Sequence, residues 1–422
     1  MYAGNGFMGT WQMSILCGMR VVESSAFVAV PLAGMTLAQM GAEVIRCDHI
    51  DGGLDFGRWP LSPNNRSLFW AGLNKGKKSV AINLKSSEGR ELISEIIAAG
   101  GTESGFFITN LTVPGWTDYE SLKKLRDDVI VVALNGDRQG YPQVDYTVNA
   151  SLGIPYMTGP PNSPEPVAHI LPAWDIIAGN MCVSALLAAE RHRLRGFGGQ
   201  SVDLSLKDVA SATIGHLGMI ADVTLNDMDR KKYGNALYGA YGQDFVCADN
   251  RRIMVIALTL RQWKKLISAT GISEAVTALE TELGVSFNDE GMRWQFRERI
   301  TKLLLPWFSE RRVSDFRDLF NRKGLTWSEF RTVKEALAND SDLSTDNPLF
   351  RNVAYPDIGE FLTPAHPVEF GNVTRNAPVP SPVLGAHTEE ILASVVRLSD
   401  RDIGRLLETG VVASPNYDVT NE

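Results

Sequence analysis

Cysteine is scarce in this chain, and the four that occur lie far apart. Cys17, Cys47, Cys182 and Cys247 form no Cys-x-x-Cys pair and no spacing that is typical of a metal site. The six histidines are scattered in the same way, without a His-x-His or His-x-x-x-His pair, so the sequence predicts no metal centre. Isolated, reduced cysteines favour a cytoplasmic location.

Long apolar runs and basic blocks are also lacking. No apolar run reaches the roughly 18 residues that a membrane span requires, so we expect no membrane partner. The net charge of −8 argues against nucleic acid as a partner, because nucleic-acid binding relies on clustered Lys and Arg. Residues 1–12 lack the basic region of a signal peptide, and we expect them to precede the folded start. Residues 4–9 match G-x-G-x-x-G, but no strand precedes them, so no dinucleotide site is expected there.

Strand and helix patterns alternate through the first half of the chain. This alternation predicts an α/β fold in which crossover helices connect a parallel sheet. The character changes after about Asn226, where two strand-like runs flank a turn and helical segments follow, which indicates a smaller α+β domain. We therefore predict a large domain over 13–225 and 324–422 and a small domain over 226–323. The predicted strands of the large domain are Met19–Glu23, Glu43–Cys47, Ser79–Leu84, Phe106–Thr109, Val129–Leu134 and Ser201–Leu206.

Asp175 is the strongest candidate for chemistry. It lies at the beginning of a long apolar helix that is predicted to run to about Leu194. A carboxylate in a first helical turn faces unpaired backbone N–H groups and the positive end of the helix dipole, so we expect it to stay ionised. An ionised, positioned carboxylate is a usable nucleophile. The alternative, which the local pattern alone favours, is an Asp that only caps the helix.

Other polar motifs have both a functional and a structural interpretation. Lys75, Lys77 and Lys78 precede a strand and form either a cationic contact for phosphate groups or a solvated turn. The glycine-rich stretch 196–200 follows a helix and precedes a strand, the reverse of a phosphate loop, so we expect a structural turn. No G-x-S-x-G motif occurs, so a hydrolase triad is not predicted.

Several segments together resemble the family III CoA-transferases of the CaiB/BaiF type. They occur in the family order from about residue 19 to 396 and cover nearly the whole chain. The segments are RVVESSAFVAVP (20–31), LAQMGAEVIRCD (37–48), NKGKKSVAINL (74–84), ITNL (108–111), the Asp175 helix, 196–209 and LGAHTEEI (384–391).

The resemblance implies a fold, a chemistry and a partner. Family members have a Rossmann-like large domain made from both chain ends and a small domain, and two chains interlock as a homodimer. The aspartate that matches Asp175 attacks a CoA thioester, a mixed anhydride forms, and CoA then joins the aspartate as an enzyme-bound thioester. No cofactor is implied beyond coenzyme A as part of the substrate, and no metal.

The resemblance also implies contacts with CoA, by position in the family motifs. They fall on Phe27, Val28, Ala29, Arg46, Lys77, Lys78, Asn110, Leu111, Gly136, Asp137 and Arg138. Candidate oxyanion donors lie in the glycine-containing stretches around Gly234 and Gly239. Candidates for holding the acyl group are Tyr141, His216, Tyr238 and Arg331.

Within the family, the segments favour an intramolecular reaction on the CoA thioester of a C5 dicarboxylic acid. CoA would move between the C1 and C4 carboxyls of mesaconate (2-methylfumarate). Val28 stands where formyl-CoA transferases carry a glutamine. An intramolecular reaction relaxes the need for that glutamine, because the substrate brings its own acceptor carboxylate. The alternatives are an intermolecular CoA transferase between dicarboxylic acids, an acyl-CoA racemase, which would need a histidine base where Asp145 stands, and a ligand-binding protein without activity.

Overall fold

A computed structural model of the chain describes residues 14–415, so the G-x-G-x-x-G match at 4–9 lies outside the described residues. The chain divides into two compact units. The large unit comprises the residues up to Leu152, Leu171–Met219 and the residues from Ser341 onward, and the small unit comprises Gly153–Ile170 and Ile220–Asp340. The small domain predicted from the sequence, 226–323, lies inside the small unit of the structure.

The strands of the large unit form a seven-stranded sheet in the order β12-β3-β2-β1-β4-β5-β6. All neighbouring pairs are parallel except β12, which pairs antiparallel with β3 at one edge. The α/β prediction with a parallel sheet is therefore confirmed. The strands in chain order are β1 (Arg20–Ser24), β2 (Glu43–Asp48), β3 (Lys78–Ile82), β4 (Phe106–Thr109), β5 (Ile130–Asn135), β6 (Gln200–Ser205), β7 (Tyr241–Val246), β8 (Arg252–Ala257), β9 (Thr326–Glu329), β10 (Phe350–Tyr355), β11 (Gly359–Pro364) and β12 (Val412–Ala413).

Helices connect these strands and cover the sheet. The helices in chain order are α1 (Ala29–Gln39), α2 (Leu68–Leu73), α3 (Ser87–Ala98), α4 (Tyr119–Lys123), α5 (Asp145–Ser151), α6 (Ile154–Met157), α7 (Ala173–His192), α8 (Leu206–His216), α9 (Met219–Asn226), α10 (Leu260–Thr270), α11 (Ser273–Leu283), α12 (Glu290–Gln295), α13 (Arg297–Ser309), α14 (Val313–Lys323), α15 (Val333–Asn339), α16 (Thr388–Ile391) and α17 (Asp400–Glu408). Single π-helical turns extend α7 over Arg193–Phe197 and α16 over Leu392–Val396, and a 3₁₀ turn covers Ser341–Leu343.

The central strands are buried on both faces. Every residue of β4 is buried, as are the first five of β5, and both strands are continuous apolar runs. On one face, Ile93, Ile96 and Ile97 of α3 belong to one hydrophobic cluster with apolar side chains of β3, β5, α16 and α17. Helices therefore cover this apolar face of the sheet, as is typical of α/β folds.

The strand order reverses between β1 and β4. The chain builds β1, β2 and β3 in one direction and then returns to place β4, β5 and β6 on the other side of β1. In open α/β sheets, ligands bind at such a switch point, outside the carboxyl ends of the strands. Here the segments that follow β1 and β4 begin at Ser25 and Asn110, so the crevice lies between them.

Helix α7 is the longest helix of the large unit and is unusually apolar. Together with its π-helical turn it spans Ala173–Phe197, and by length and composition alone it could cross a membrane. The same helix packs against α1, α8 and the strands β5 and β6, with Ala178, Cys182 and Leu186 buried. That packing is typical of the core helix of a globular α/β unit.

The small unit contains an antiparallel sheet in the order β7-β8-β9 and an aromatic core. Trp263, Phe308, Phe316 and Phe320 are buried between this sheet and helices α10, α13 and α14. The strands β7 and β8 agree with the predicted hairpin. Two helices, α8 and α9, follow β6, because the chain turns at Gly218 with a φ of 74°.

Candidate active site

Asp175 is the third residue of α7 and lies in its first turn, where it is partly buried. A second carboxylate, that of Asp145, lies nearby. Asp145 is the first residue of α5 and is only 2% exposed. The backbone N–H groups of Trp174 and Asp175 donate to Oδ2 of Asp145, with N···O distances of 2.8 Å and 3.3 Å. The indole N–H of Trp174 donates to Oδ1 of Asn149 at 3.2 Å. Helix α5 therefore anchors the beginning of α7 through both a carboxylate and an amide.

The acidity of Asp175 differs from the sequence expectation. Burial of the carboxyl group, and after it the negative charge of Asp145, raises the pKa of Asp175 to about 7. The helix N-terminus therefore does not hold the pKa of Asp175 at its ordinary value, and the carboxyl group is ionised mainly above about pH 7, which corrects the sequence expectation. Asp145 accepts the hydrogen bonds of the two N–H groups at this helix end, and it adds a like charge nearby.

Gly179 brings the beginning of α1 against the same face of α7. It lies four residues after Asp175, so the two share one face of the helix. A Cβ at position 179 would lie 2.5 Å from the carbonyl oxygen of Ala29 and 3.2 Å from Cδ2 of Leu32. Glycine thus permits the close approach that sets Ala29, a predicted CoA contact, beside the helix that carries the candidate nucleophile.

The loop that follows β1 is held from two sides. The N–H of Ala26 donates to Oδ1 of Asn110 at 2.9 Å, and Nδ2 of Asn110 donates to the carbonyl of Ala26 at 2.9 Å. The N–H of Phe27 donates to Oδ2 of Asp55 at 2.9 Å, and Phe27 has a φ of 69°, which non-glycine residues rarely adopt. These bonds fix the two sides of the switch-point crevice against each other.

Four of the predicted CoA contacts border this crevice. Phe27 and Leu111 are each 38% exposed, Val28 is half-buried at the start of α1, and Ala29 is buried. The side-chain amide of Asn110 bonds the Ala26 backbone, so its structural work is to join the segments after β1 and β4.

Arg46 and Lys77 are placed differently from the sequence expectation. Both side chains are fully buried, and they ion-pair with carboxylates inside the large unit. Arg46 contacts Asp48 at 2.8 Å, Asp55 at 3.1 Å and Glu23 at 3.3 Å, and Lys77 contacts Glu23 at 2.8 Å. Burial lowers the pKa of Lys77 to about 8 despite these partners. Neither charge is presented to a phosphate from solvent, because buried carboxylates of the large unit already pair with it.

Lys78 is the first residue of β3 and its ammonium group also has carboxylate partners. It ion-pairs with Glu43, the first residue of β2, at 2.6 Å and with Glu390 at 2.6 Å. The side chain therefore reaches toward the beginning of β2, whereas the switch-point crevice lies at the opposite, carboxyl end of the strands. A phosphate contact from Lys78 at the crevice does not fit this placement.

The loop after β5 contains the predicted contacts Gly136, Asp137 and Arg138. Oδ1 of Asp137 accepts hydrogen bonds from the N–H groups of Gln139 at 3.0 Å and Tyr141 at 2.9 Å. A Cβ at Gly136 would lie 2.6 Å from the carbonyl oxygen of Tyr141, so only glycine fits at this position. Asp137 is buried and shapes the loop, whereas Arg138 is exposed and carries an available cation.

The remaining candidates are dispersed. Tyr141 and His216 are exposed residues of the large unit, and Tyr238 and Arg331 belong to the small unit. Arg331 ion-pairs with Glu329 at 3.3 Å and with Asp340 at 3.1 Å. Gly234 and Gly239 have positive φ values of 61° and 82°, as expected for a tight loop.

Two residues of this site were not found from the sequence as functional residues. Asp145 precedes Asp175 by 30 positions, and nothing local in the sequence signals that one will cap the helix of the other. Asp55 lies in a turn-rich segment whose pattern is typical of a surface loop. Its side chain is nevertheless buried and accepts a hydrogen bond from the backbone N–H of Phe27. Only the fold brings either partner into contact. Among residues 14–415, no group of three or more His, Cys, Asp or Glu side chains could hold a metal ion.

Comparison with known proteins gives the family. The sequence profile of CoA-transferase family III matches residues 16–388. The chain is 52% identical over 403 residues to 2-methylfumaryl-CoA isomerase of Chloroflexus aurantiacus, covering 95% of this chain and 98% of that protein. It is 25% identical to the human succinyl-CoA:glutarate CoA-transferase, covering 94% of this chain and 89% of that protein. A crystal structure of a CaiB/BaiF family protein from Brucella suis has the same fold, with a TM-score of 0.73, 24% identity, and coverage of 90% of this chain and 99% of that one. The chain belongs to CoA-transferase family III.

Proposed function

We propose that this enzyme is an intramolecular CoA transferase that interconverts 2-methylfumaryl-CoA and 3-methylfumaryl-CoA, the C1 and C4 CoA esters of mesaconate. The observation that carries the proposal is the carboxylate of Asp175 in the first turn of α7, on the helix face that packs against the segment after β1. The name of the relative that shares 52% identity supports the choice of substrate.

The proposed reaction begins when the Asp175 carboxylate attacks the thioester carbonyl. The C–S bond breaks, CoA leaves as a thiolate, and a mixed anhydride links Asp175 to the acyl group. The thiolate then attacks the aspartyl carbonyl, the anhydride C–O bond breaks, and mesaconate leaves as a carboxylate. Several easier acyl transfers thus replace one difficult exchange.

The second half of the reaction repeats these steps at the other end of the acid. The C4 carboxylate of the retained mesaconate attacks the aspartyl thioester, expels the thiolate and forms a new anhydride. Thiolate attack on the C4 carbonyl releases the product and regenerates Asp175. Because donor and acceptor carboxyls belong to one molecule, the acceptor is supplied at high effective concentration without diffusing in.

We propose that CoA binds at the switch-point crevice. Phe27, Val28 and Leu111 border it, and Arg138 supplies an exposed cation in the loop after β5. Arg46 and Lys77 are excluded from this proposal because buried carboxylates pair with them, and Lys78 is excluded because it ion-pairs at the beginning of β2, away from the crevice. We further propose a cytoplasmic homodimer that needs no metal, membrane or nucleic acid.

The test is chromatographic separation of the two isomers after incubation with 2-methylfumaryl-CoA. We expect interconversion by the native enzyme and none by Asp175→Ala, with Asp208→Asn as a control because Asp208 holds the same third position in α8. Borohydride trapping followed by peptide mapping should place the modification on Asp175. Full activity in Asp175→Ala, or a modified residue elsewhere, would refute the role of Asp175.

An intermolecular transfer between dicarboxylic acids is the second candidate. It is favoured by the second comparison, since the relative at 25% identity is named as a transferase from succinyl-CoA to glutarate. Labelled free mesaconate or succinate decides between the two. Label that enters the CoA esters during turnover would support the intermolecular reaction, and unlabelled esters would support the isomerase.

A further inference from the structure

We propose that Asp145 is a positioning residue that directs the mixed anhydride toward the enzyme-bound thioester by making the Asp175 carboxylate a poor leaving group. The inference rests on the proposed function and adds a role for a residue that does not itself need to touch the substrate. It is carried by the hydrogen bonds between Asp145 and the backbone at the beginning of α7.

The first step of the argument concerns the N–H groups of the helix end. Backbone N–H groups at a helix N-terminus stabilise a nearby carboxylate, which lowers its basicity. Here Oδ2 of Asp145 accepts from the N–H groups of Trp174 and Asp175 at 2.8 Å and 3.3 Å. These N–H groups therefore stabilise the carboxylate of Asp145 instead of the carboxylate of Asp175.

The second step concerns charge. Burial and the charge of Asp145 both destabilise the ionised form of Asp175 and raise its pKa. Of the elements that pack against α7, helix α1 and strand β5 carry no charged side chain. Among residues 14–415, Asp145 is the charged group that acts on Asp175. Other charged or titratable groups occur on α5, on β6, on α8 and at the far end of α7, namely Tyr146, Asp203, Lys207, Asp208, His216, Glu190, Arg191 and His192.

The third step concerns the anhydride, which can collapse in two directions. Thiolate attack on the substrate carbonyl forms a C–S bond, breaks the C–O bond to Asp175 and returns the starting thioester. Thiolate attack on the aspartyl carbonyl forms a C–S bond there, and the mesaconate carboxylate leaves with the electron pair of the broken C–O bond. No other reactant is needed in either direction.

The more basic carboxylate is the worse leaving group, so basicity decides the direction. An ordinary carboxyl group titrates at about pH 4, whereas the pKa of Asp175 is raised to about 7. Expulsion of mesaconate is therefore favoured over expulsion of Asp175, so each anhydride collapses more often to the enzyme thioester. Product forms in the second half by the less frequent collapse, in which the thiolate attacks the C4 carbonyl and Asp175 is expelled. The same asymmetry makes Asp175, once ionised, a stronger nucleophile toward the thioester in the first step.

The test uses Asp145→Asn, which retains a side-chain oxygen to accept the two N–H groups but removes the charge. Asp145→Glu keeps the charge, and Asp289→Asn serves as a matched control because Asp289 caps α12 through its own side chain. We expect the inflection of kcat/KM against pH to move to lower pH by roughly one pH unit in Asp145→Asn. We expect the steady-state fraction of enzyme trapped as the CoA thioester to fall by about threefold or more, since leaving-group effects follow Brønsted behaviour. Asp145→Glu should restore both values, and Asp289→Asn should change neither.

Two outcomes separate this inference from the proposed function. If the native enzyme interconverts the isomers but Asp145→Asn keeps the native inflection and thioester fraction, the inference is wrong and the proposed function stands. Titration of Asp175 by carbon-13 NMR, assigned with Asp175→Asn, gives a readout without turnover and without relying on the folding of Asp145→Asn. A native Asp175 that titrates at about pH 4 would overturn the inference, and one near 7 in an enzyme without isomerase activity would support the charge effect while refuting the proposed function.

Discussion

Replacing the candidate nucleophile should stabilise the folded protein. Asp175 is a partly buried carboxyl group beside a second carboxylate, and its pKa rises from an ordinary 3.8 to about 7 on folding. Each pKa unit corresponds to about 1.4 kcal/mol, so the ionised side chain costs the folded state at most roughly 4 kcal/mol. Asp175→Asn removes the charge while keeping the size of the side chain, and after allowance for residual solvent exposure we expect a gain in unfolding free energy of about 1–3 kcal/mol at neutral pH.

The gain should depend on pH in a direction that the pKa values fix. Below pH 3.8 the carboxyl group is protonated in both states, so its ionisation contributes nothing to the difference between the variant and the native protein. Between 3.8 and about 7 the unfolded chain releases the proton while the folded protein retains it, so the native protein loses stability as the pH rises. Above about 7 both states are ionised and the penalty is constant. About half of the maximum effect should develop between roughly pH 5.5 and 8.

Denaturant unfolding of both proteins across that pH range is the assay. The matched control is Asp208→Asn, because Asp208 is an exposed residue at the third position of α8. Loss of its favourable interaction with the helix dipole should destabilise that variant by about 0.3–1 kcal/mol. A stability difference between Asp175→Asn and the native protein that is independent of pH would refute the assigned electrostatics, as would destabilisation of Asp175→Asn across the whole range.

Three further predictions concern the pH dependence of activity, the packing of Gly179 and the ion pairs of Arg46. The kcat/KM of the native enzyme should rise with pH through an inflection near 7, since only the ionised Asp175 attacks, and a pH–rate profile that is flat there would contradict this. Gly179→Ala should destabilise the protein by about 1–3 kcal/mol in thermal or chemical unfolding, because the added Cβ meets the Ala29 carbonyl, and native stability would show that α1 can move aside. Arg46→Leu should cost about 3–5 kcal/mol by leaving buried carboxylates unpaired, and an unfolding free energy within about 1 kcal/mol of the native value would argue that those carboxylates are protonated.

The sheet could be predicted from the sequence because the local pattern of apolar residues indicates most of its strands. Phe106–Thr109 is a continuous apolar run, and the observed strand has those bounds. The two-residue strand β12 was not predicted from the sequence. A two-residue strand has no periodicity of its own and exists because Val412 pairs with Ile82 in β3. Short-range pattern therefore predicts the elements, whereas pairing at an edge depends on the assembled sheet.

The charged residues show where local interpretation fails. Lys77 precedes a strand in a lysine-rich segment, which is compatible with a solvated turn or a phosphate contact. Its partner Glu23 is 54 positions away, and only the parallel pairing of β1, β2 and β3 brings the two together. The same is true of Arg46 with Glu23. Sequence pattern identifies the cations, but long-range register decides whether their charge is free to bind a ligand.

The raised pKa of Asp175 requires that its surroundings cannot relax to solvate it. Two contacts hold the first turn of α7 in place: the N–H groups of Trp174 and Asp175 bond to Asp145, and the Trp174 indole bonds to Asn149. A third, the close packing of Gly179 on Ala29, fixes the next turn. If the surroundings could move, water would enter and solvate the charged carboxylate, and its pKa would return toward the ordinary value. The contacts that fix this helix end therefore also keep the pKa of Asp175 high. A substitution that breaks them should lower both the pKa of Asp175 and the stability of the fold.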